Sequence, residues 1–153
     1  MSHATSMHSE MPFEPLLREA GLRVTKPRLA VLETLRERPH SDTAAVLDGV
    51  RRELPAVSHQ AVYDVLDALT RTGIVRRIQP AGSLARYELR RGDNHHHVVC
   101  RSCGDVADVD CAVGHVPCLT ASDDAGFVID EAEVTYWGTC PGCAAEASAP
   151  PTA

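Results

Sequence analysis

Apolar positions recur at helical spacing through the first half of this chain and at strand spacing through much of the second. Phe13, Leu16, Leu17 and Ala20 share one helix face, and the pattern stops at Gly21. Thr25 with Pro27 then opens a second predicted helix to about Arg36. Ser41 or Asp42 can cap a third that runs to Leu54 and ends at Pro55. Ser58 caps a fourth, in which Val62, Val65, Leu66 and Leu69 recur at i, i+3, i+4 and i+7 until Gly73. Ile74–Ile78 reads as a strand, Pro80-Ala81-Gly82-Ser83 as a turn and Leu84–Leu89 as the returning strand. Helices followed by a hairpin predict a winged helix-turn-helix.

Beyond the polar break 91–94, short strands are predicted at Val98-Val99, Val106–Val109, Phe127–Ile129 and Val134–Trp137, with a short helix around Pro117–Asp124. No internal repeat is present. The expected organisation is a leader over 1–12, a winged-helix domain over 13–90, a hinge over 91–94, a second domain over 95–143 and a tail over 144–153. Neither end carries a periodic apolar pattern, so both are expected to be disordered. The fold class is α+β.

Charge sharpens this division. The 153 residues carry a net charge of −6, which by itself argues against a nucleic-acid partner. Through Arg90, however, there are 13 basic against 11 acidic side chains, and from Arg91 onward 2 against 10. An arginine-rich front and an acidic, cysteine- and histidine-rich back imply two domains with two jobs. No stretch approaches the ~20 apolar residues of a membrane span, and 1–10 lacks a secretory signal, so a cytoplasmic protein without a membrane partner is expected.

The chemistry concentrates in the second half. Cys100-x-x-Cys103 and Cys140-x-x-Cys143 are two pairs whose spacing lets a tight turn aim both thiolates at one ion. Two such turns complete a tetrahedron of sulfur, which predicts a structural Zn2+. A closed sulfur shell leaves no position for a substrate. In a reducing compartment thiols stay available to zinc rather than forming disulfides.

A second set offers nitrogen and oxygen. His95 and His97 alternate on one strand and so share a side, with His96 turned away. Asp108 lies on the next predicted strand, Glu88 just before the hinge and His40 before the third helix. Three imidazoles and two carboxylates suit Fe2+ or Mn2+, with Ni2+, Co2+ or Zn2+ also accepted by such donors. If His40 and Glu88 come from one domain and the others from the second, a bound metal fixes the angle between them and acts as an effector. Cys111 and Cys118, with His115 between them, can form a disulfide, hold a third metal, or simply be buried small apolar residues.

The fourth helix exposes Ser58, His59, Gln60, Ala61 and Tyr63 near its start, where they can enter a major groove of double-stranded DNA. Arg23, Lys26 and Arg28, with Arg76, Arg77 and Arg86 on the wing, can clamp phosphates. Asp64 would repel phosphate. A solvated basic face, or a protein-docking module without DNA affinity, is the plainer alternative. The histidine and carboxylate set can also serve a metal-dependent enzyme, but no nucleophile, general base or cofactor fingerprint accompanies it.

Taken together, Ala20-Gly21-Leu22-Arg23-Val24-Thr25 with Pro27-Arg28, Ser58–Tyr63, His95-His96-His97-x-x-Cys-x-x-Cys-Gly and the last Cys-x-x-Cys resemble the ferric uptake regulator family over about residues 13 to 143. The resemblance implies a homodimeric, metal-dependent repressor with a winged helix and a small α/β dimerisation domain. It implies structural zinc on Cys100, Cys103, Cys140 and Cys143, and a regulatory metal on His40, Glu88, His95, His97 and Asp108. Segments 110–119, 131–134 and 136–138 are similar to actinobacterial members that repress a catalase-peroxidase gene, and Asp108 is the residue type of peroxide-sensing members. That subgroup implies a peroxide sensor rather than a regulator of iron homeostasis alone. Its trigger would be oxidation of a histidine ligand such as His40 or His95 beside Fe2+, or oxidation of thiols. Two departures stand out. Asn94 and Ala132 replace ligands of an additional site found in some members, and Asp64 stands where many have a base-reading arginine.

Overall fold

The computed structural model describes residues 12–80, 82–90, 95–110, 121, 123–129 and 132–149. The chain divides into two compact units, Met1–Arg77 with Arg86–Arg90, and Ile78–Ala85 with Arg91–Ala153.

The first unit contains α1 (Phe13–Glu19), α2 (Lys26–Glu37), β1 (Ser41–Asp42), α3 (Thr43–Glu53), α4 (His59–Arg71) and the wing strands β2 (Val75–Ile78) and β3 (Arg86–Leu89). Each longer helix begins where a side-chain oxygen accepts an otherwise unpaired backbone N–H. Thr25 accepts from Arg28 in α2, Asp42 from Ala45 in α3 and Ser58 from Ala61 in α4. Of the two candidate caps for the third helix, Asp42 does the capping, while Ser41 Oγ donates to the Arg38 carbonyl at 2.7 Å. The α1 turn ends at Gly21, whose φ of +73° suits a residue without Cβ.

Burial follows the predicted faces. Leu17, Val31, Leu32, Leu35, Val46, Val50, Val62, Leu66 and Leu69 are all essentially inaccessible and form the helical core. Val75 and Tyr87 extend that core from the wing.

One element was not expected. β1 pairs antiparallel with β3, Ser41 opposite Tyr87 and Asp42 opposite Arg86, giving a sheet in the order β1-β3-β2. Two residues carry no periodicity, so no local pattern announces them. The pairing holds Arg86–Arg90 to the first unit, whereas Ile78–Ala85, assigned from the sequence to the same domain, groups with the second.

In the second unit β4 (His95–Cys100) lies between β5 (Val106–Asp110), antiparallel, and β6 (Thr135–Gly138), parallel. Val99 and Val106 are buried on it.

Two expectations are corrected here. Phe127–Ile129 forms no strand and is 73%, 97% and 54% exposed along its length. An apolar run needs a neighbour to hydrogen-bond with, and the β5-β4-β6 sheet does not include it. The expected disordered tail instead begins as α5 (Pro141–Ser148), with Pro141 in the first turn and Cys140 Sγ accepting from the Cys143 N–H. Ala144, Ala145 and Ala147 favour helix without any apolar stripe, and α5 buries no residue, so a search for periodicity passes over it. Of the expected helix around 117–124 only 121, 123 and 124 are described, and none is helical; the hinge 91–94 lies outside the described residues.

Candidate metal centre and nucleic-acid interface

The four cysteines of the two pairs converge at one end of the β4-β6 sheet. Cys100 ends β4, Cys103 follows in the turn, and Cys140 and Cys143 open α5. Their sulfurs all lie within 4.8 Å of one another, and none is in a disulfide. Cys103 Sγ and Cys140 Sγ are 3.8 Å apart. A tetrahedron with zinc–sulfur bonds of about 2.3 Å has sulfur–sulfur edges of about 3.8 Å, so the cluster fits a four-coordinate thiophilic ion.

The protonation pattern agrees. The Cys100 thiol is pulled down from 9.0 to about 6, first by the Cys103 backbone N–H and then by that of Cys140. Cys143 is pushed up to about 12, first by the Cys140 thiol and then by Cys103. At Cys103 the Asp105 backbone N–H pulls downward, but the sulfur of Cys100 leads the opposing influences and the thiol ends up raised. One thiolate forms readily, and the crowded sulfurs then resist further ionisation. A dication at their centre removes that resistance.

The nitrogen and oxygen donors form a pair in the first unit and a triad in the second. The β1-β3 register that sets Ser41 against Tyr87 brings the preceding His40 beside the following Glu88. His40 Nε2 lies 2.9 Å from Glu88 Oε2, and both side chains are buried. His40 has φ +61°, a strained left-handed conformation for a side chain of this size. The Arg86 guanidinium donates to its carbonyl at 3.1 Å and helps hold it there.

In the second unit His97 pairs with Asp108 across the β4-β5 ladder, and His95 with Asp110. The Asp108 carboxylate lies 3.6 Å from His95 Nε2 and 3.5 Å from His97 Nε2. The two imidazoles meet edge to face, their centroids 5.0 Å apart. His96 turns the other way and meets Tyr136 of β6, centroids 6.2 Å apart. Cys111, His115 and Cys118 lie outside the described residues.

The helix α4 exposes His59, Gln60, Tyr63 and Asp64 in its first turns, with Ala61 half-buried and Ser58 occupied as the cap. His59 and Tyr63 rings lie 5.4 Å apart. Arg23 and Lys26 are exposed beside the start of α2, and half-buried Arg28 donates to the Arg23 carbonyl at 2.6 Å. On the wing Arg77 is exposed, whereas Arg76 and Arg86 are half-buried. Arg86 thus has a structural duty at His40 that its position in the sequence does not reveal.

Residues 19–136 match the ferric uptake regulator family. The chain is 64% identical over 137 residues to the transcriptional regulator FurA of Mycobacterium tuberculosis, spanning 90% of this chain and 93% of that one. It is 65% identical over 133 residues to ferric uptake regulation protein 1 of Mycolicibacterium fortuitum, spanning 87% and 83% respectively. Among solved structures, the ferric uptake regulator of Vibrio cholerae superposes with a TM-score of 0.62 at 27% identity, covering 83% of this chain and 98% of that one. A winged helix, a small mixed unit with a four-cysteine cluster and nitrogen–oxygen donors in both units are therefore parts of a regulator rather than an enzyme. The chain belongs to the ferric uptake regulator family of metal-dependent, DNA-binding transcriptional regulators.

Proposed function

We propose that this protein is a cytoplasmic homodimeric repressor whose affinity for a double-stranded operator is set by one divalent ion, and that peroxide is its inducer, with a catalase-peroxidase gene as target. Cys100, Cys103, Cys140 and Cys143 hold structural Zn2+. His40, Glu88, His95, His97 and Asp108 hold the regulatory ion, Fe2+ or Mn2+, with Ni2+ and Zn2+ as competitors. The observation that carries the reading is the Asp108 carboxylate, set between His95 and His97 at 3.6 and 3.5 Å. A donor set of imidazole nitrogens and carboxylate oxygens, without sulfur, favours a harder ion than the thiophilic one at the cysteines.

An ion ligated from both units ties the orientation of the winged helix to the dimerisation unit and, in a dimer, sets the separation of the two recognition helices. Metal binding needs neutral imidazoles and ionised carboxylates, so affinity falls as pH falls. Fe2+ held by these ligands would supply one electron and split peroxide into hydroxide and a hydroxyl radical. Addition of that radical to a ligand imidazole such as that of His40 or His95, with a second electron returned to Fe3+ and a proton lost, would leave an oxo-imidazole that no longer ligates. Thiol oxidation at Cys111 and Cys118 is the competing trigger.

The name of the M. fortuitum relative favours a second reading, repression in iron homeostasis without peroxide sensing. The two separate in one experiment. The zinc-loaded protein is titrated anaerobically with Fe2+ against a labelled fragment of its own upstream DNA, and peroxide is added while anisotropy is followed. Iron-dependent binding abolished by peroxide supports the sensor, and mass spectrometry then assigns the added oxygen to histidine or the oxidation to cysteine. Iron-dependent binding indifferent to peroxide supports the homeostatic repressor.

A further inference from the structure

With 3.6 residues per turn, Gln60 and Asp64 project from the side of α4 opposite Val62, Leu66 and Leu69, the three positions buried in the core. Both are exposed, and the Gln60 side-chain Nε2 donates to Asp64 Oδ1 at 2.8 Å. A carboxylate only accepts, so the NH2 end of the amide must face Asp64 and the Oε1 end must face away. We propose that Asp64 is a positioning residue for base readout, holding the Gln60 amide in the orientation that matches adenine.

This rests on α4 being the recognition helix. Adenine offers an N6 donor beside an N7 acceptor in the major groove, and an amide presenting its oxygen and its remaining N–H complements that pair. Guanine offers two acceptors and leaves the fixed oxygen facing another oxygen. An untethered glutamine can rotate to donate instead, so the Asp64 bond turns an adaptable side chain into a selective one. It also accounts for a carboxylate on a face that must approach phosphates. The negative charge lowers affinity for all DNA, and the gain is discrimination at one base.

The test is selection from a randomised operator library by the metal-loaded full chain, with affinities for selected and random DNA measured over a range of salt. The wild-type chain is expected to select adenine at one position in each half-site, and Gln60→Ala to lose that choice. A good bidentate contact discriminates by about 5- to 150-fold. Asp64→Ala is expected to cut the adenine preference about 5-fold or more while tightening binding to random DNA at low salt. Asp64→Asn, which keeps an acceptor of the same length without the charge, is expected to tighten random binding and retain the adenine preference. If Asp64→Ala tightens binding to every sequence equally and leaves the base preference intact, Asp64 is only a repulsive charge and the proposal is overturned. A wild-type chain that selects no sequence overturns the operator-binding reading as well, so the two failures are distinct.

Discussion

His40 concentrates several constraints in one residue. Its φ of +61° is a region that costs a residue with Cβ roughly 1 kcal/mol or more, and the Glu88 carboxylate and the Arg86 guanidinium hold it there. Replacement by glycine relieves the strain and replacement by alanine does not. His40→Gly is therefore expected to exceed His40→Ala in stability by about 1 kcal/mol in denaturant unfolding, with both unable to respond to metal. The two ligand sets separate at the same scale. His97→Ala is expected to lower metal-dependent DNA affinity while zinc content and dimer remain. Cys100→Ser opens the sulfur cluster and is expected to unfold the second unit or render the chain monomeric, as zinc analysis and sedimentation would show. Equal damage from both substitutions would contradict two separate sites.

Among the elements, α2 and α3 approach closely at Gly49. A Cβ there would fall on the Thr34 side chain, and Thr34 cannot swing aside because it is buried and its hydroxyl donates to the Ala30 carbonyl at 2.8 Å. Alanine is normally favoured over glycine within a helix by about 1 kcal/mol. Here the clash outweighs that gain, and Gly49→Ala is expected to destabilise the first unit by about 1–3 kcal/mol in urea unfolding. The helices themselves were legible because each combines an apolar stripe with a capping oxygen, as Ser58 and the Val62, Leu66, Leu69 face show for α4. β1 and α5 were not, one being two residues long and the other having no apolar face. β1 had the larger consequence, since its register with β3 is what brings His40 to Glu88.

At the scale of the whole molecule, most exposed large apolar side chains among the described residues, Tyr63 apart, lie in the second unit. Phe127, Val128, Ile129, Tyr136 and Trp137 are all exposed in the single chain, Val128 almost completely. In the proposed dimer, an apolar set of this kind is what a second copy would cover. Val128→Asp is therefore expected to shift the dimer towards monomer in sedimentation equilibrium, with little change in the helical content of the winged helix. Loss of operator affinity should follow, because two half-sites are then no longer engaged together. No helix among the described residues is long and apolar enough to cross a membrane.

Local spacing by itself determined the helices of the winged domain, the alternation that sets His95 and His97 on one side of β4, and the two Cys-x-x-Cys pairs. Each depends on neighbours a few residues apart, whose geometry the backbone fixes. Only the tertiary structure decided what lies between distant segments. It brought Cys100 and Cys103 to Cys140 and Cys143, set His97 opposite Asp108, and gave Arg86 a hydrogen bond to the His40 carbonyl. Those arrangements come from strand register and chain closure, which hydrogen-bond pairing between remote segments establishes and no short window of sequence contains.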